Sequence, residues 1–212
     1  MTPEALRHLR RVDPVLGAVI RSVGICTLEP QRDRSPFESL VRAVAHQQLN
    51  GTAAETILKR FLSLFPGTTF PKPEALETVT DDQMRAAGFS RAKVAAIRDI
   101  AAKTIEGVVP TSRTIGRMPD DAIVDRLVQC RGVGRWTVEM LLIFKLGRPD
   151  VLPADDFGIR HGFALAYGHD EMPKPKALLA FGEIWRPYRT TASWYLWRAV
   201  DQHREKVRAT KK

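Results

Sequence analysis

The residue types best suited to chemistry lie between positions 127 and 156. Leu127-Val128-Gln129-Cys130-Arg131-Gly132-Val133-Gly134-Arg135-Trp136-Thr137 reads as helix, glycine turn, helix. Gly132 and Gly134 permit close approach of a ligand and a positive φ where the turn needs one. The amides that follow open a helix, where unpaired N–H groups and partial positive charge favour a phosphate. Arg131 and Arg135 add charge to the same place. A turn of this kind grips a nucleic-acid backbone without reading its bases. Gly-x-Gly alone is equally a bare interhelical turn; the flanking helices and a basic chain favour the phosphate reading. Asp155-Asp156 open the next helix, and from the residues alone both read as caps at the positive end of its dipole.

The elements that position these residues are helical, since apolar residues recur at three- and four-residue steps and alternating runs are nearly absent. Leu6, Leu9, Val12, Leu16, Val19 and Ile20 form a stripe that Pro14 breaks or kinks. Cys26 to Ser35 is polar and reads as a loop. Ser35 caps a helix with Pro36 first, Glu38 three residues on, and Phe37, Leu40, Val41 and Val44 inward. Further helices are expected over Thr52–Leu64, from Thr80 to Gly88, and from Ser90, with Val94, Ile97, Ile100, Ala101 and Ile105 buried. Others start at Pro119, with Ile123, Leu127 and Val128 inward, and run over Arg135–Leu146, from Asp155-Asp156, over Lys176–Ile184 and over Thr190–Val207. The expected class is all-α, with about ten short helices of ordinary length.

The chain has 212 residues; 33 Lys+Arg against 24 Asp+Glu give a formal charge of +9, which points to nucleic acid or an anionic surface as partner. No apolar run approaches the roughly 20 residues of a bilayer span, and the N-terminus lacks a signal-peptide core, so neither membrane insertion nor secretion is expected. Cys26 and Cys130 are too few for a disulfide framework, a four-Cys zinc site or an iron–sulfur cluster, and read as small buried side chains in a reducing compartment. His8, His46, His161, His169 and His203 show no metal-binding spacing. The basic tail, Arg204–Lys212, reads as a solvated end that adds salt-sensitive affinity.

Five segments in order resemble the helix-hairpin-helix DNA glycosylases, in particular their alkylpurine branch of the 3-methyladenine DNA glycosylase II type. They are AHQQLNGTAAETI, GFSRAKVAAIRDIA, GVGRWTVEMLLIF, LPADDFGIR and IWRPYRTTASWYLW, and the resemblance as a whole covers about Ser35 to Val200. The resemblance implies two helical subdomains with the active-site cleft between them: a central one, 36–147, ending in the hairpin, and a second made of 1–35 plus 148–212. The chain starts too late for the extra N-terminal sheet domain of the larger enzymes in this branch.

The resemblance also implies roles. Asp156 matches the family's catalytic carboxylate, which stabilises an oxocarbenium-like sugar and can position the attacking water. Trp136 and Trp197 fall at aromatic positions of the base pocket, where indole faces attract a base made cationic by alkylation. Met140, one turn beyond Trp136, replaces an aromatic residue, and Phe37 is a further candidate wall. Trp185, Tyr188 and Trp194 are packing residues, and Trp185-Arg186-Pro187-Tyr188-Arg189 is a structural signature. The DNA backbone would be held by Gly132, Gly134, Arg135 and Thr137. The loop His46-Gln47-Gln48-Leu49-Asn50-Gly51 would supply the wedge that fills the hole left by an extruded base, with Gln48 at the family's leucine position and Leu49 beside it. Carbonyls of Val128, Cys130 and Val133 would bind a monovalent cation, Na+ or K+; no other cofactor is expected. Where strand-cleaving relatives carry a lysine, this chain has Trp136, so no Schiff base can form there.

The expected activity is monofunctional hydrolysis of the N-glycosidic bond of alkylated purines, 3-methyladenine and 7-methylguanine, in double-stranded DNA as part of base excision repair. The partner is duplex DNA and the protein a monomer, in the nucleoid-bearing cytoplasm of a bacterium or the nucleus of a eukaryote. Preference for ethenoadenine or hypoxanthine is a variant of that reading. A silent damage-binding protein on the same scaffold, or a bifunctional glycosylase/lyase, would be separated from it by assays for base release and for a borohydride-trapped complex.

Overall fold

A computed structural model describes residues 2–49 and 51–210; Asn50 of the wedge loop and the last two residues of the basic tail lie outside them. Among the described residues there is no strand, and the architecture is all-α. The helices are α1 (Pro3–Val12), α2 (Pro14–Val23), α3 (Pro36–His46), α4 (Gly51–Leu62), α5 (Asp81–Ala86), α6 (Arg91–Ile105), α7 (Ser112–Ile115), α8 (Asp120–Leu127), α9 (Arg135–Leu141), α10 (Phe157–Tyr167), α11 (Pro175–Phe181) and α12 (Arg189–Thr210). Among the described residues no helix is long and apolar enough to cross a membrane.

Local chemistry sets most of the boundaries. Asp13 ends α1 and caps α2, its carboxylate accepting the Leu16 N–H, so Pro14 starts a new helix rather than bending one. Ser35 caps α3 through the Glu38 N–H, while the Glu38 side chain turns to Arg42. Thr80 and Gln83 close a reciprocal capping box on α5. Two short elements escape the periodic pattern: α7 and a 3₁₀ turn at Pro73–Thr78. Ile105 and Val128, expected inside, are 53% and 41% exposed, each at the C-terminal end of its helix.

The chain divides into two compact units, Gln31–Leu146 and Met1–Pro30 with Gly147–Lys212. In the first, α3 packs on α4, α6 and α9. Its aromatic centre sets Phe61 edge-on to Phe65 and Phe89. In the second, α10 lies along α12, and α2 packs on both. Its core encloses a buried carboxylate: Asp13 accepts from Trp185 Nε1 at 2.7 Å and from the Tyr167 hydroxyl. Neutral donors thus satisfy a charge that would otherwise be costly to bury. Burial beside that carboxylate pushes the Tyr167 phenol far above its usual range, so it stays a donor.

Candidate active site

In the unit containing residues 147–212, a braced loop delivers Asp156. Arg189 grips Asp150 with two bonds, Nε to Oδ1 at 2.7 Å and Nη2 to Oδ2 at 3.0 Å, the planar fork that suits a carboxylate. The Thr190 hydroxyl accepts the Val151 N–H at 3.0 Å, and Leu152 lies so close to Gly182 that a Cβ there would overlap it. Arg186 also reaches Asp150, and Glu183 besides. The loop ends at Asp156, the N-cap of α10.

One oxygen of Asp156 takes two N–H donors: Oδ1 accepts from the Ile159 amide at 2.8 Å and from Trp197 Nε1 at 2.9 Å. The cap expected of both aspartates is therefore made by Asp156, while Asp155 is exposed. Both donors, and the N-terminal end of α10, meet the carboxylate at this one oxygen. The indole reaches it because two glycines remove side chains from the α10–α12 contact. A Cβ on Gly158 would lie 2.9 Å from Trp197 Cδ1 and 3.1 Å from Asp156 Oδ1, and one on Gly162 would overlap the Leu196 carbonyl. Trp197, half-buried, is thus a hydrogen-bond donor to Asp156 as well as an aromatic face.

In the other unit, Trp136, Met140 and Phe144 stand at four-residue steps along α9 and its continuation as a π-helix, Leu142–Leu146. They form one wall of a cavity of about 340 Å³, whose facing wall is Ser39, Arg42, Ala43 and His46 of α3. Trp136 is 37% exposed and is not enclosed in the core. Arg42 is neutralised by Glu38 at 2.8 Å, and His46 Nε2 lies 3.1 Å from Glu55 Oε1. Phe37 does not join Trp136 and Met140. It is 3% exposed, packs edge-on against Phe70 and borders a different cavity; its apolar, periodic position on α3 places it in the core.

The hairpin has the expected form. Gly132 has φ +74° and Gly134 is the N-cap of α9, with Arg131 and Arg135 exposed beside them. Thr137 departs from expectation: it is 2% exposed, and its hydroxyl accepts from Gln47 Nε2 at 3.2 Å. It lies on the face of α9 that packs inward with Val138 and Leu141. Gln48 and Leu49 are exposed, and Gln48 adopts φ +58°. Gln47 ends α3 with its backbone while its side chain goes to the hairpin. Burial, with the Asp99 carboxylate nearby, pushes the Cys130 thiol up to about 11, so it is inert. Cys26 is half-buried rather than enclosed. No group of three or more His, Cys, Asp or Glu side chains among the described residues could hold a metal ion.

Residues 41–187 match the family described as HhH-GPD superfamily base excision DNA repair protein. This chain belongs to that family. It is 41% identical over 194 residues to DNA-3-methyladenine glycosylase 1 of Schizosaccharomyces pombe, covering 90% of this chain and 84% of the relative. The structure of the S. pombe 3-methyladenine DNA glycosylase in complex with abasic DNA superposes with a TM-score of 0.85, over 92% of this chain and 95% of that one. The DNA-3-methyladenine glycosidase of Bacillus halodurans, 33% identical, gives 0.84 over 96% and 92%.

Proposed function

We propose that this protein is a monofunctional DNA glycosylase that hydrolyses the N-glycosidic bond of alkylated purines, of the 3-methyladenine and 7-methylguanine class, in double-stranded DNA. The observation that carries this reading is the Asp156 carboxylate, capped into α10 and bonded by Trp197, in a chain 41% identical to a 3-methyladenine glycosylase.

A purine alkylated on a ring nitrogen is cationic and leaves with the C1′–N electron pair as a neutral base. The sugar is left with positive charge at C1′. Asp156, fixed before the reaction begins, stabilises that charge and orients the water that adds to C1′ and loses a proton. Trp136 and Met140 supply the polarisable surface that holds the base; the ring attracts its cationic form. The hairpin amides and Arg135 hold backbone phosphate, and Gln48 or Leu49 enters the stack. The α9 sequence RWTVEML contains no lysine, which favours hydrolysis over a Schiff-base route to strand cleavage. Carbonyls of Val128, Cys130 and Val133 are hard oxygen donors of the kind that would hold Na+ or K+, and a cation there would add positive charge beside the phosphate. The Cys130 carbonyl also accepts the Val133 N–H within the turn. The site would act as a monomer wherever the cell keeps its DNA.

Chromatography of bases freed from dimethyl-sulfate-treated DNA tests this directly. Release of both methylated purines is expected, with no strand cleavage before alkali and no borohydride-trapped complex. Absence of release above the spontaneous rate overturns the activity, and a trapped complex overturns its monofunctional character. Trp197→Phe probes the site more finely, because it keeps an aromatic face and removes the N–H. A hydrogen bond to a charged group contributes roughly 1.5–3 kcal/mol, so base release is expected to fall at least about tenfold. Affinity for uncleavable duplex should change little; an unchanged rate would mean that the indole only stacks.

A further inference from the structure

The wedge loop and the hairpin are tied together by side chains whose positions lie 46 to 90 residues apart in sequence. Lys93 Nζ donates to the main-chain carbonyls of Ala45 and Gln47, each at 2.8 Å. These close the C-terminal end of α3, where carbonyls lack helical partners and a cation meets the negative end of the dipole. From the same loop, Gln47 Nε2 donates to the Gly132 carbonyl at 3.0 Å and the Thr137 hydroxyl at 3.2 Å. The residue preceding Gln48 is therefore bonded to the turn of the hairpin and to the helix that follows it.

Helix α6 holds the hairpin as well. The Asp99 carboxylate accepts the Arg131 N–H at 2.7 Å, and Gly132 approaches so closely that a Cβ would lie 3.0 Å from Ala96 Cβ. Lys93, Ala96 and Asp99 recur every three residues, which places them along one face of α6. That single face bonds the loop at one end and the hairpin at the other. Gln48 next to it is the described non-glycine residue with a positive φ, a backbone shape that persists only when its surroundings hold it.

We propose that Lys93 and Gln47 are positioning residues that couple the loop to the hairpin, so that gripping the DNA backbone and driving Gln48 or Leu49 into the base stack occur as one event. This rests on the glycosylase reading of loop and hairpin given above. A loop cut free of these bonds would reach the stack in only a fraction of encounters, and the intact enzyme would lose ability to extrude a paired base while keeping its chemistry.

The test compares Lys93→Met, which keeps the aliphatic stem, and Gln47→Ala at a half-buried site, each first checked for wild-type circular dichroism and Tm. Release of an alkylated purine is measured from a fully paired duplex and from single-stranded DNA, which needs no wedge. Each variant is expected to slow the duplex reaction at least about tenfold and the single-strand reaction by less than about threefold, and the double variant to be no worse than the weaker single one. The salt dependence of duplex binding should be unchanged, since no phosphate contact is removed. Parallel loss on both substrates, or no loss on duplex, overturns the coupling. If the wild type releases no base from either substrate, the glycosylase reading fails by itself. The coupling is then read from 2-aminopurine beside an abasic site: a fluorescence rise on binding that Lys93→Met abolishes supports it. An equal rise in both proteins, or none with the wild type, overturns it.

Discussion

Asp156→Asn is expected to lower base release from methylated duplex DNA by at least about 10²–10³-fold, the cost of removing one preorganised group aimed at developing charge. The substitution isolates charge from structure. Asparagine is as good an N-cap as aspartate, and its amide oxygen can still accept the Ile159 and Trp197 N–H groups. What goes is the favourable meeting of a full negative charge with the α10 dipole, about 0.3–1 kcal/mol. A chain of this size then loses only about 1–4 °C in Tm. Helical circular dichroism and affinity for an uncleavable duplex should match the wild type within about threefold. Asp155→Asn, one residue earlier and exposed, is the control and should turn over normally. Normal turnover by Asp156→Asn would remove the mechanism, and absence of release by the wild type itself would leave the silent damage-binding reading.

That experiment also bears on what was legible beforehand. The helices of this chain announce themselves locally: Ser35 before Pro36, Thr80 before Gln83, and Pro14 after a capping aspartate are signals complete within a few residues. The elements that went unread, Pro73–Thr78 and Ser112–Ile115, are too short to show a period. Ile105 fits the apolar stripe of α6 but lies on a turn that nothing covers, a matter of tertiary contacts and not of spacing. Asp155 and Asp156 are interchangeable in composition; only the backbone at 156, extended before a helix, decides which one caps.

The site divides along the same line. The hairpin could be read from glycines and arginines because its chemistry is carried by the backbone of one short segment. The role of Asp156 came from a family resemblance and not from the residues around it, since a lone carboxylate at a helix start has the same pattern whether it caps or catalyses. Thr137 looked like hairpin surface, yet the inward face of α9 takes it. Lys93 carries no signal in the sequence, and Gln47 is legible there only as part of the wedge loop or a helix end, because their partners at Ala45, Gly132 and Thr137 are brought near only by the packing of α3, α6 and α9. Non-local polar contacts of this sort have no period to detect. Gly158 and Gly162 are a local clue of another kind: glycines inside a helix, where such interruptions mark close approach of another chain segment.

Gly162→Ala is expected to destabilise the protein by about 1–3 kcal/mol, although alanine is the better helix former. In an exposed helix the exchange would gain roughly 1 kcal/mol. Here the new Cβ would overlap the Leu196 carbonyl, which is main chain of α12 and cannot rotate away. The two helices must separate, and overpacking of a closed contact typically costs 1–3 kcal/mol. For a chain of this length that corresponds to a Tm lower by roughly 2–12 °C. Gly158→Ala, one turn nearer Asp156, should behave differently. Its Cβ would meet the Trp197 ring and the Asp156 carboxylate, side-chain atoms that can yield, at 2.9 and 3.1 Å. Its Tm should therefore stay close to that of the wild type while base release falls, because the yielding atoms are the donor and acceptor of the bond that fixes the charge. Thermal melting and base release measured on both variants separate the two roles. A Gly162→Ala protein as stable as the wild type would mean that α10 and α12 do not need their close approach, and a fully active Gly158→Ala protein that the Trp197–Asp156 bond can be displaced without consequence.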